Sequence, residues 1–472
     1  MLPTPMAPAL RVASLFSAVT SAMQPARFPL AIFAVVLLSA LVPLVDLAGG
    51  TKFGPRGFSG GALTESEQAL DEHRARSAAR RFAGPELAAI EGAGAGAGEA
   101  VDGERTEASL AQLSSAVREA TARRIAEIED ATQDSPSDFR ESEIRRIRQS
   151  AATVMRQIEE AGPRGVATVF VENQRLAVTR IKTALFALDP EGFLTGILSA
   201  VFTVPAAAIR AEPLAFPLAL LVLICAISFC SGGLSRMAAV HAGRRGRLSV
   251  LEGSGFARAR ILNLIALPVL PLALFALFAA VILAFALLLR IPVLNLVSGI
   301  LFVIPLAVAL LGAVLALVAL VAAPLMPAAV AVEDCDAGDA ITRACALVLG
   351  RPLAWLLALS LFVVVLTLGT ILVAGILMLA STAVEGLLGL AGGTVGQVLA
   401  SGDASLMATL SGPDRLISLL VGFWGGIFQM LGAAYGFSLA CDLATRGYLL
   451  LRERLNGESP ATIAGYGLGE GA

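Results

Sequence analysis

Long apolar runs with almost no charged residues constrain this chain more than any other feature of its sequence. The chain has 472 residues, of which 56% are hydrophobic and 15% charged, whereas soluble proteins are about 25% charged. Residues 49–212 hold 20 of the 35 Lys and Arg and 24 of the 37 Asp and Glu. The few charges elsewhere cannot cover a water-exposed surface. The composition excludes a soluble single-domain protein and predicts an all-α, polytopic transmembrane helical bundle with one polar insert.

Six of the apolar runs are long enough to cross a bilayer, because about 20 apolar residues span the hydrocarbon core as a helix. The first is longer than the apolar core of a signal peptide and lacks a clear cleavage site, so we predict an uncleaved signal anchor. In the fourth, Pro305 is expected to separate an interfacial lead-in from the span itself. The predicted spans are Phe28–Ala48, Leu214–Ser231, Ile261–Leu289, Val293–Leu325, Leu353–Ala380 and Leu416–Cys441.

Arginines concentrate in alternate loops. The loop between the second and third spans holds Arg236, Arg244, Arg245, Arg247, Arg258 and Arg260. The opposite loops hold only Arg290 or Arg415 near the spans. The positive-inside rule then places both termini in the cytoplasm and the insert outside. Because Arg far outnumbers Lys, we also predict that the chain is bacterial and lies in the inner (plasma) membrane. The predicted divisions are a cytoplasmic segment 1–27, the first span 28–48, the insert 49–212, a five-span bundle 213–445 and a cytoplasmic tail 446–472.

The insert is predicted to contain a linker, a helical hairpin and an interfacial helix. The Gly- and Ala-rich residues 91–100 are typical of a flexible linker. On either side of Pro136, apolar residues recur at helical spacing, within 110–128 and 144–158. These stripes favour an antiparallel helical hairpin, and a partner-binding coiled coil is the alternative. Residues 192–209 are apolar and uncharged, which predicts a helix lying on or dipping into the outer membrane interface.

The motifs that resemble catalytic or metal sites are better explained as structural features with no chemical role. Residues 57–61 match G-x-S-x-G but lack the preceding buried strand, and His73 and His241 are predicted on opposite sides of the membrane. Carboxylates within 331–344 would suit a hard divalent metal ion. Acidic residues at a helix start and an i,i+4 pair of opposite charge explain the same pattern. We predict a structural interfacial motif comprising Glu333, Asp336, Asp339 and Arg343.

These observations predict no catalytic residue, no metal site and no cofactor. The formal net charge of −2 also argues against binding to nucleic acid. The predicted spans hold no charged residue away from their ends, which disfavours ion-coupled transport. For helix packing or a homodimer face, we single out Gly422, Gly426, Gly432 and Gly436.

Three segments carry a resemblance to a known family. They are GGLSRMAAV (232–240), AVEDCDAGDAITRA (331–344) and GYLLLRERLNGES (447–459). They resemble an uncharacterised bacterial family of multi-pass membrane proteins that is similar to the membrane domain associated with glycerophosphoryl diester phosphodiesterases. The resemblance covers about 213–460 and implies a helical membrane module without a known catalytic role. Ala344 stands where the family motif usually has Ser, and the insert is too short and too poor in His for the phosphodiesterase domain.

The sequence therefore favours a non-enzymatic integral membrane protein that organises membrane components or interacts with lipid at the inner leaflet. The expected lipid-headgroup ligands are the six arginines of the loop between the second and third spans. A homo-oligomer or a membrane-protein partner is compatible with this interpretation. The alternative is a transport component for an uncharged or amphipathic substrate, with a pathway opened by Pro268 and Pro271. A polar-lined cavity among the spans would favour transport.

Overall fold

Helices account for nearly all the regular structure in the computed structural model. It describes residues 8–53, 58, 73, 75–84, 102–131, 137–162, 164–187, 189–243, 246–288, 290–291, 298–391, 396, 398–399, 404–407, 410, 412–459 and 461–464. The chain divides into two compact units. The first comprises Met1–Leu38, Leu221–Gly375 and Gln429–Ala472, and the second comprises Ser39–Leu220 and Ile376–Phe428.

The helices before the third predicted span are α1 (Pro8–Ala22), α2 (Phe28–Ala48), α3 (Asp102–Ala131), α4 (Ser137–Ala161), α5 (Val166–Ala187), α6 (Pro190–Leu198), α7 (Val204–Ala211), α8 (Ala215–Ala242) and α9 (Val250–Ala259). Those that follow are α10 (Ile261–Leu288), α11 (Val303–Ala322), α12 (Met326–Glu333), α13 (Ala337–Gly350), α14 (Pro352–Ala391), α15 (Ala404–Met407) and α16 (Gly412–Asn456). A π-helical turn, Ser199–Thr203, joins α6 to α7, and a 3-10 turn, Ala323–Leu325, joins α11 to α12. Strand β1 (Lys52–Phe53) pairs antiparallel with β2 (Arg164–Gly165).

The all-α polytopic class is confirmed. Seven segments within the described residues are long and apolar enough to cross a membrane. Six correspond to the predicted spans, and the seventh is Pro190–Ala211, which we predicted as an interfacial helix. The count of about six spans therefore leaves out one candidate. Helices α8 and α16 extend well past their apolar runs because the polar residues near their ends are buried and internally paired.

The core of the first unit is built around α12. Its residues 328–332 are all fully buried, so this short helix is covered on every side. It packs with α10 and α13, which contribute Leu264, Leu267, Ala340 and Ala344 to the same cluster. A helix that is apolar all round must be covered either by lipid or by protein, and α12 is covered by protein.

Helix α1 is also part of the first unit, although 1–27 was predicted only as a cytoplasmic N-terminal segment. Its Leu15 and Ala18 are buried against α14 and α16. The hydroxyl of Tyr435 donates to the carbonyl of Val19 at 3.3 Å, and that of Ser438 donates to the carbonyl of Ala22 at 3.2 Å. These bonds join the N-terminal segment to the last helix of the chain.

The predicted helical hairpin is present in the second unit as α3 and α4. Their facing stripes pack together and also contact helical residues 75–84. Val117 and Ala151 are fully buried in this cluster. The stripes are thus covered by other helices of the insert, as the simple hairpin interpretation requires. The linker 91–100 and most of the G-x-S-x-G sequence lie outside the described residues.

Candidate functional site

The polar side chains of the first unit converge on the C-terminal end of α12. The last carbonyls of a helix have no partner within the helix. Here the Arg236 guanidinium donates to the carbonyl of Ala331 at 2.6 Å, and the backbone N–H of Ala464 donates to that of Val332 at 2.9 Å. Asp334 ends the helix in the left-handed conformation, with φ 54°. The buried end of α12 therefore has partners supplied by distant parts of the chain.

Glu333, the last residue of α12, is the centre of a cluster of charged groups. The Tyr448 hydroxyl donates to its carboxylate, and the Arg343 guanidinium forms an ion pair with it. Arg452, which is almost fully buried, has a guanidinium nitrogen 3.8 Å from the same carboxylate. A buried carboxylate is stable only when it is paired and hydrogen-bonded in this way. The cluster therefore fixes the end of α12 to α13 and α16.

Residues 457–459 and 461–464, which we call the C-terminal strap, fold back over this cluster. Gly457 has φ +71°, and its N–H donates to the carbonyl of Glu453, which ends α16. The Arg452 guanidinium donates to the carbonyl of Thr462 at 2.5 Å and to its hydroxyl at 2.9 Å. Arg236 donates to the carbonyl of Ala464 at 2.8 Å. Two arginines thus fasten the strap to the bundle.

The neighbouring acidic residues have internal partners as well. The Arg260 guanidinium donates to Asp334 at 2.8 Å, and this hydrogen bond and the carboxylate charge raise the pKa of Arg260. Asp336 accepts a hydrogen bond from the N–H of Asp339 and caps the start of α13. The Asp339 carboxylate lies 4.0 Å from Arg343. This is the geometry that the structural interpretation of the motif requires. In the described part of the chain, no group of three His, Cys, Asp or Glu is placed to hold a metal ion.

A second buried cluster was missed by the sequence reasoning. The Arg27 guanidinium lies 2.9 Å from the Asp442 carboxylate, and the two side chains are 1% and 0% exposed. Arg446, one turn further along α16, donates to the other oxygen of Asp442 at 2.9 Å and to the Ser17 hydroxyl. The i,i+4 spacing of Asp442 and Arg446 was a usable signal. Nothing in the local sequence linked either residue to Arg27.

The arginines predicted to bind lipid headgroups occupy different environments. Arg236 is buried, and its guanidinium also lies over the Phe256 ring, so its role is to hold α12 and the strap. This corrects its assignment as a headgroup ligand. Arg260 is paired with Asp334, whereas Arg247 and Arg258 are exposed. Arg244 and Arg245 lie outside the described residues.

The glycines singled out for helix packing also differ. A Cβ added at Gly422 or Gly426 would meet no atom within 4 Å among the described residues. At Gly436 the nearest atom would be a methyl carbon of Thr370, at 3.4 Å. At Gly369 of α14, which we did not single out, an added Cβ would lie 2.6 Å from a side-chain carbon of Leu439 on α16.

A narrow crevice in the first unit is apolar. It lies among α1, α14 and α16 and is lined by Leu15, Leu325, Trp355, Phe362 and Leu443, among others. The indole N–H of Trp355 has no hydrogen-bond partner among the described residues. This crevice offers no polar path for a solute.

Comparison with family models, curated proteins and solved structures finds no match. The resemblance drawn from the three segments therefore stays a hypothesis. The structure nevertheless brings those segments together. The first contributes Arg236, the second contributes Glu333 and Arg343, and the third contributes Tyr448 and Arg452. All three meet at the end of α12.

Proposed function

We propose that this integral membrane protein is non-enzymatic and binds anionic phospholipid headgroups at the cytoplasmic leaflet. The observation that carries the proposal is a pairing of exposed arginines with exposed leucines next to the candidate spans. The short helices α9 and α13 each lie between two such spans. At the boundary of each helix, exposed arginines and exposed leucines lie close together in the sequence.

The exposures of these leucines are too high for a protein surface that meets only water. Leu251 and Leu262 are 82% and 79% exposed and lie near Arg247 and Arg258 in the sequence. Leu349 and Leu353 are 62% and 81% exposed and flank the exposed Arg351. At a membrane interface the leucines enter the acyl region while the arginines reach the phosphates. Each basic residue near an anionic surface contributes about 1 kcal/mol.

The orientation of the protein in the membrane follows from the same arginines. The positive-inside rule favours a cytoplasmic location for the arginine-rich loops, and hence for both termini. In this arrangement six helices cross the membrane and Pro190–Ala211 does not. The transport alternative gains no support from the apolar crevice.

The test is the set of lipids that remain bound during purification in mild detergent. We expect mass spectrometry to find anionic phospholipids enriched over their share of the membrane. The double variant Arg247→Gln, Arg258→Gln should lose most of that enrichment. The matched control is Arg123→Gln, Arg146→Gln, which removes two exposed arginines of the insert. Equal enrichment in all three proteins would refute the proposal.

A further inference from the structure

The second unit contains a second helical hairpin, formed by α5 and by the segment that comprises α6, the π-helical turn and α7. The two arms pack closely through small residues. The Cβ that Gly196 lacks would lie 2.7 Å from Ile181, and Ala177 and Ala184 are buried on the same face of α5. We call this structure the α5–α7 hairpin. It is distinct from the α3–α4 hairpin of the insert.

The surface of the α5–α7 hairpin presents large apolar side chains. On α5, Val171, Val178 and Leu185 recur every seven residues and so lie on one exposed face, which they share with Arg175 and Lys182. On the second arm, the exposed large apolar residues are Leu194, Leu198, Val201, Phe202 and Ile209. No charged residue occurs from 192 to 209. The arm as a whole is one of the segments long and apolar enough to cross a membrane.

The irregular turn in the second arm has a hydrogen-bond donor for its free carbonyl inside the protein, as an apolar environment requires. A π-helical turn disturbs the regular hydrogen-bond pattern and frees a carbonyl. Here the side-chain amide of Gln174 on α5 donates to the carbonyl of Ala200 at 2.7 Å. Backbone polar groups in lipid must find partners inside the protein, because no water is available. Gln174 meets this requirement at the one irregular turn of the arm.

The base of the α5–α7 hairpin is fixed to the ends of two candidate spans. Asp46, near the end of α2, accepts hydrogen bonds from the N–H groups of Ala167 at 2.7 Å and Thr168 at 3.1 Å, which caps the start of α5. The N–H of Thr51 donates to Glu212 at 2.7 Å, in the short link between α7 and α8. Pairing of β1 with β2 adds to the same junction. The base therefore lies at the membrane boundary where α2 ends and α8 begins.

The charges of α5 limit how deeply the hairpin can enter the bilayer. Glu172, Arg175, Arg180 and Lys182 are all exposed on this helix. Charged residues are costly at the bilayer centre, whereas Arg and Lys near an interface reach the phosphates with their long side chains. The hairpin thus combines an apolar arm with a basic arm, both held at the membrane surface.

We propose that the α5–α7 hairpin is a monotopic insertion that lies within the outer leaflet without crossing the bilayer. The exposed apolar side chains of the hairpin contact the acyl chains of that leaflet. This lipid-facing surface continues into Leu214 and Leu218 at the start of α8. Arg175 and Lys182 contact lipid phosphates beside it. This proposal does not depend on the lipid-binding role of the arginines near α9 and α13.

The test uses single cysteines in a cysteine-free protein. None of the five native cysteines forms a disulfide, so each is replaced by Ala. Leu194→Cys, Leu198→Cys and Phe202→Cys are labelled with an environment-sensitive fluorophore and reconstituted in phospholipid vesicles. Arg146→Cys on α4, an exposed position of the insert, is the matched control.

We expect bromine placed near the headgroup end of the acyl chains to quench the three hairpin probes at least about twofold and to leave the control unchanged. An unchanged circular dichroism spectrum and a single monodisperse peak in gel filtration would show that each labelled protein is folded. Maximal quenching of Phe202→Cys by bromine near the bilayer centre would show a crossing helix and overturn the proposal. Absence of quenching, or cysteine crosslinks between two copies at these positions, would also overturn it.

Discussion

Charged residues play different roles in the two units of the molecule. In the first unit, Arg27 and Asp442 form an ion pair whose side chains are 1% and 0% exposed. In the insert of the second unit, Arg123 and Glu127 lie 3.5 Å apart with side chains 50% and 65% exposed. Charged residues thus join distant helices in the first unit, whereas in the insert of the second unit they pair along the surface of a single helix. Burial determines the role, and residue type does not.

The physical reason is the medium around each pair. In water the attraction between two charges is weak and salt screens it, so exposed pairs contribute at most about 1 kcal/mol. A buried pair contributes little net stability either, because both charges had to lose their hydration. Removing only one partner, however, costs about 3–5 kcal/mol, since a charge is left buried without compensation. Substitutions that remove one partner therefore separate the two regions.

The largest effect is expected for Asp442→Ala. The substitution leaves Arg27 and Arg446 buried without their shared carboxylate, and we expect a loss of about 3–5 kcal/mol in the free energy of unfolding. The measurement is reversible denaturation in detergent micelles. The double variant Arg27→Met, Asp442→Leu should recover part of the loss, because it removes opposite charges together. A loss below about 1 kcal/mol for Asp442→Ala would contradict the structural role of this pair.

A second prediction concerns a polar contact of the second unit that joins distant parts of the chain, as the buried contacts of the first unit do. A Cβ at Gly165 would overlap the Asp46 carboxylate. Gly165→Ala should displace Asp46 from the start of α5 and lower the free energy of unfolding by about 2 kcal/mol. Gly50→Ala is the matched control, because a Cβ there meets no described atom within 4 Å. Equal free energies of unfolding for the two variants would show that the Asp46 cap does not stabilise the protein.

The fold was largely predictable from the sequence because lipid imposes a strong length requirement on apolar runs. All six predicted spans are among the candidate segments, and the α3–α4 hairpin follows from its apolar spacing. The lengths of α8 and α16 were underestimated for a specific reason. Arg236 and Asp442 were read as residues at the membrane surface, whereas their partners allow the helices to continue past them. Those partners lie far away in the sequence.

The candidate site was only half predictable for the same reason. The role of Asp336 and the proximity of Asp339 to Arg343 are local, and the spacing of the residues indicated both. The contacts of Glu333 with Tyr448 and Arg452 join residues more than a hundred positions apart. No single-sequence pattern specifies such contacts. Helix α1 was missed because its 15 residues are too few to cross a membrane.

A smaller, local effect is expected for Ser249→Ala at the start of α9. The Ser249 hydroxyl accepts from the N–H of Glu252, whose carboxylate accepts in return from the backbone N–H and hydroxyl of Ser249. Loss of this capping box should speed amide hydrogen exchange in α9 about fivefold. Ser254→Ala is the control, because the Ser254 hydroxyl only donates to the carbonyl of Leu251 in the same helix.

The capping box of Ser249 and Glu252 also predicts that hydrogen exchange in α9 depends on pH. The hydrogen bonds from Ser249 hold the pKa of Glu252 below its usual value. The protection that depends on the carboxylate is therefore complete above about pH 4.3, the ordinary value for Glu, and is lost as the pH falls through the lower pKa of the folded state. The ratio of exchange rates between Ser249→Ala and the wild type should fall there to the smaller factor that the Ser249 hydroxyl provides alone. A ratio that is constant with pH would contradict the role of Glu252.

The smallest effect is expected for Arg123→Gln, which breaks an exposed i,i+4 pair with Glu127. Such pairs contribute about 0.3–0.5 kcal/mol, so the free energy of unfolding should change by no more than that. Arg446→Gln is the sharpest comparison, because Arg446 is paired with Asp442 at the same i,i+4 spacing but in a buried site. Its cost should be several times larger. If the two substitutions cost the same, burial would not be what separates the charges of the two units.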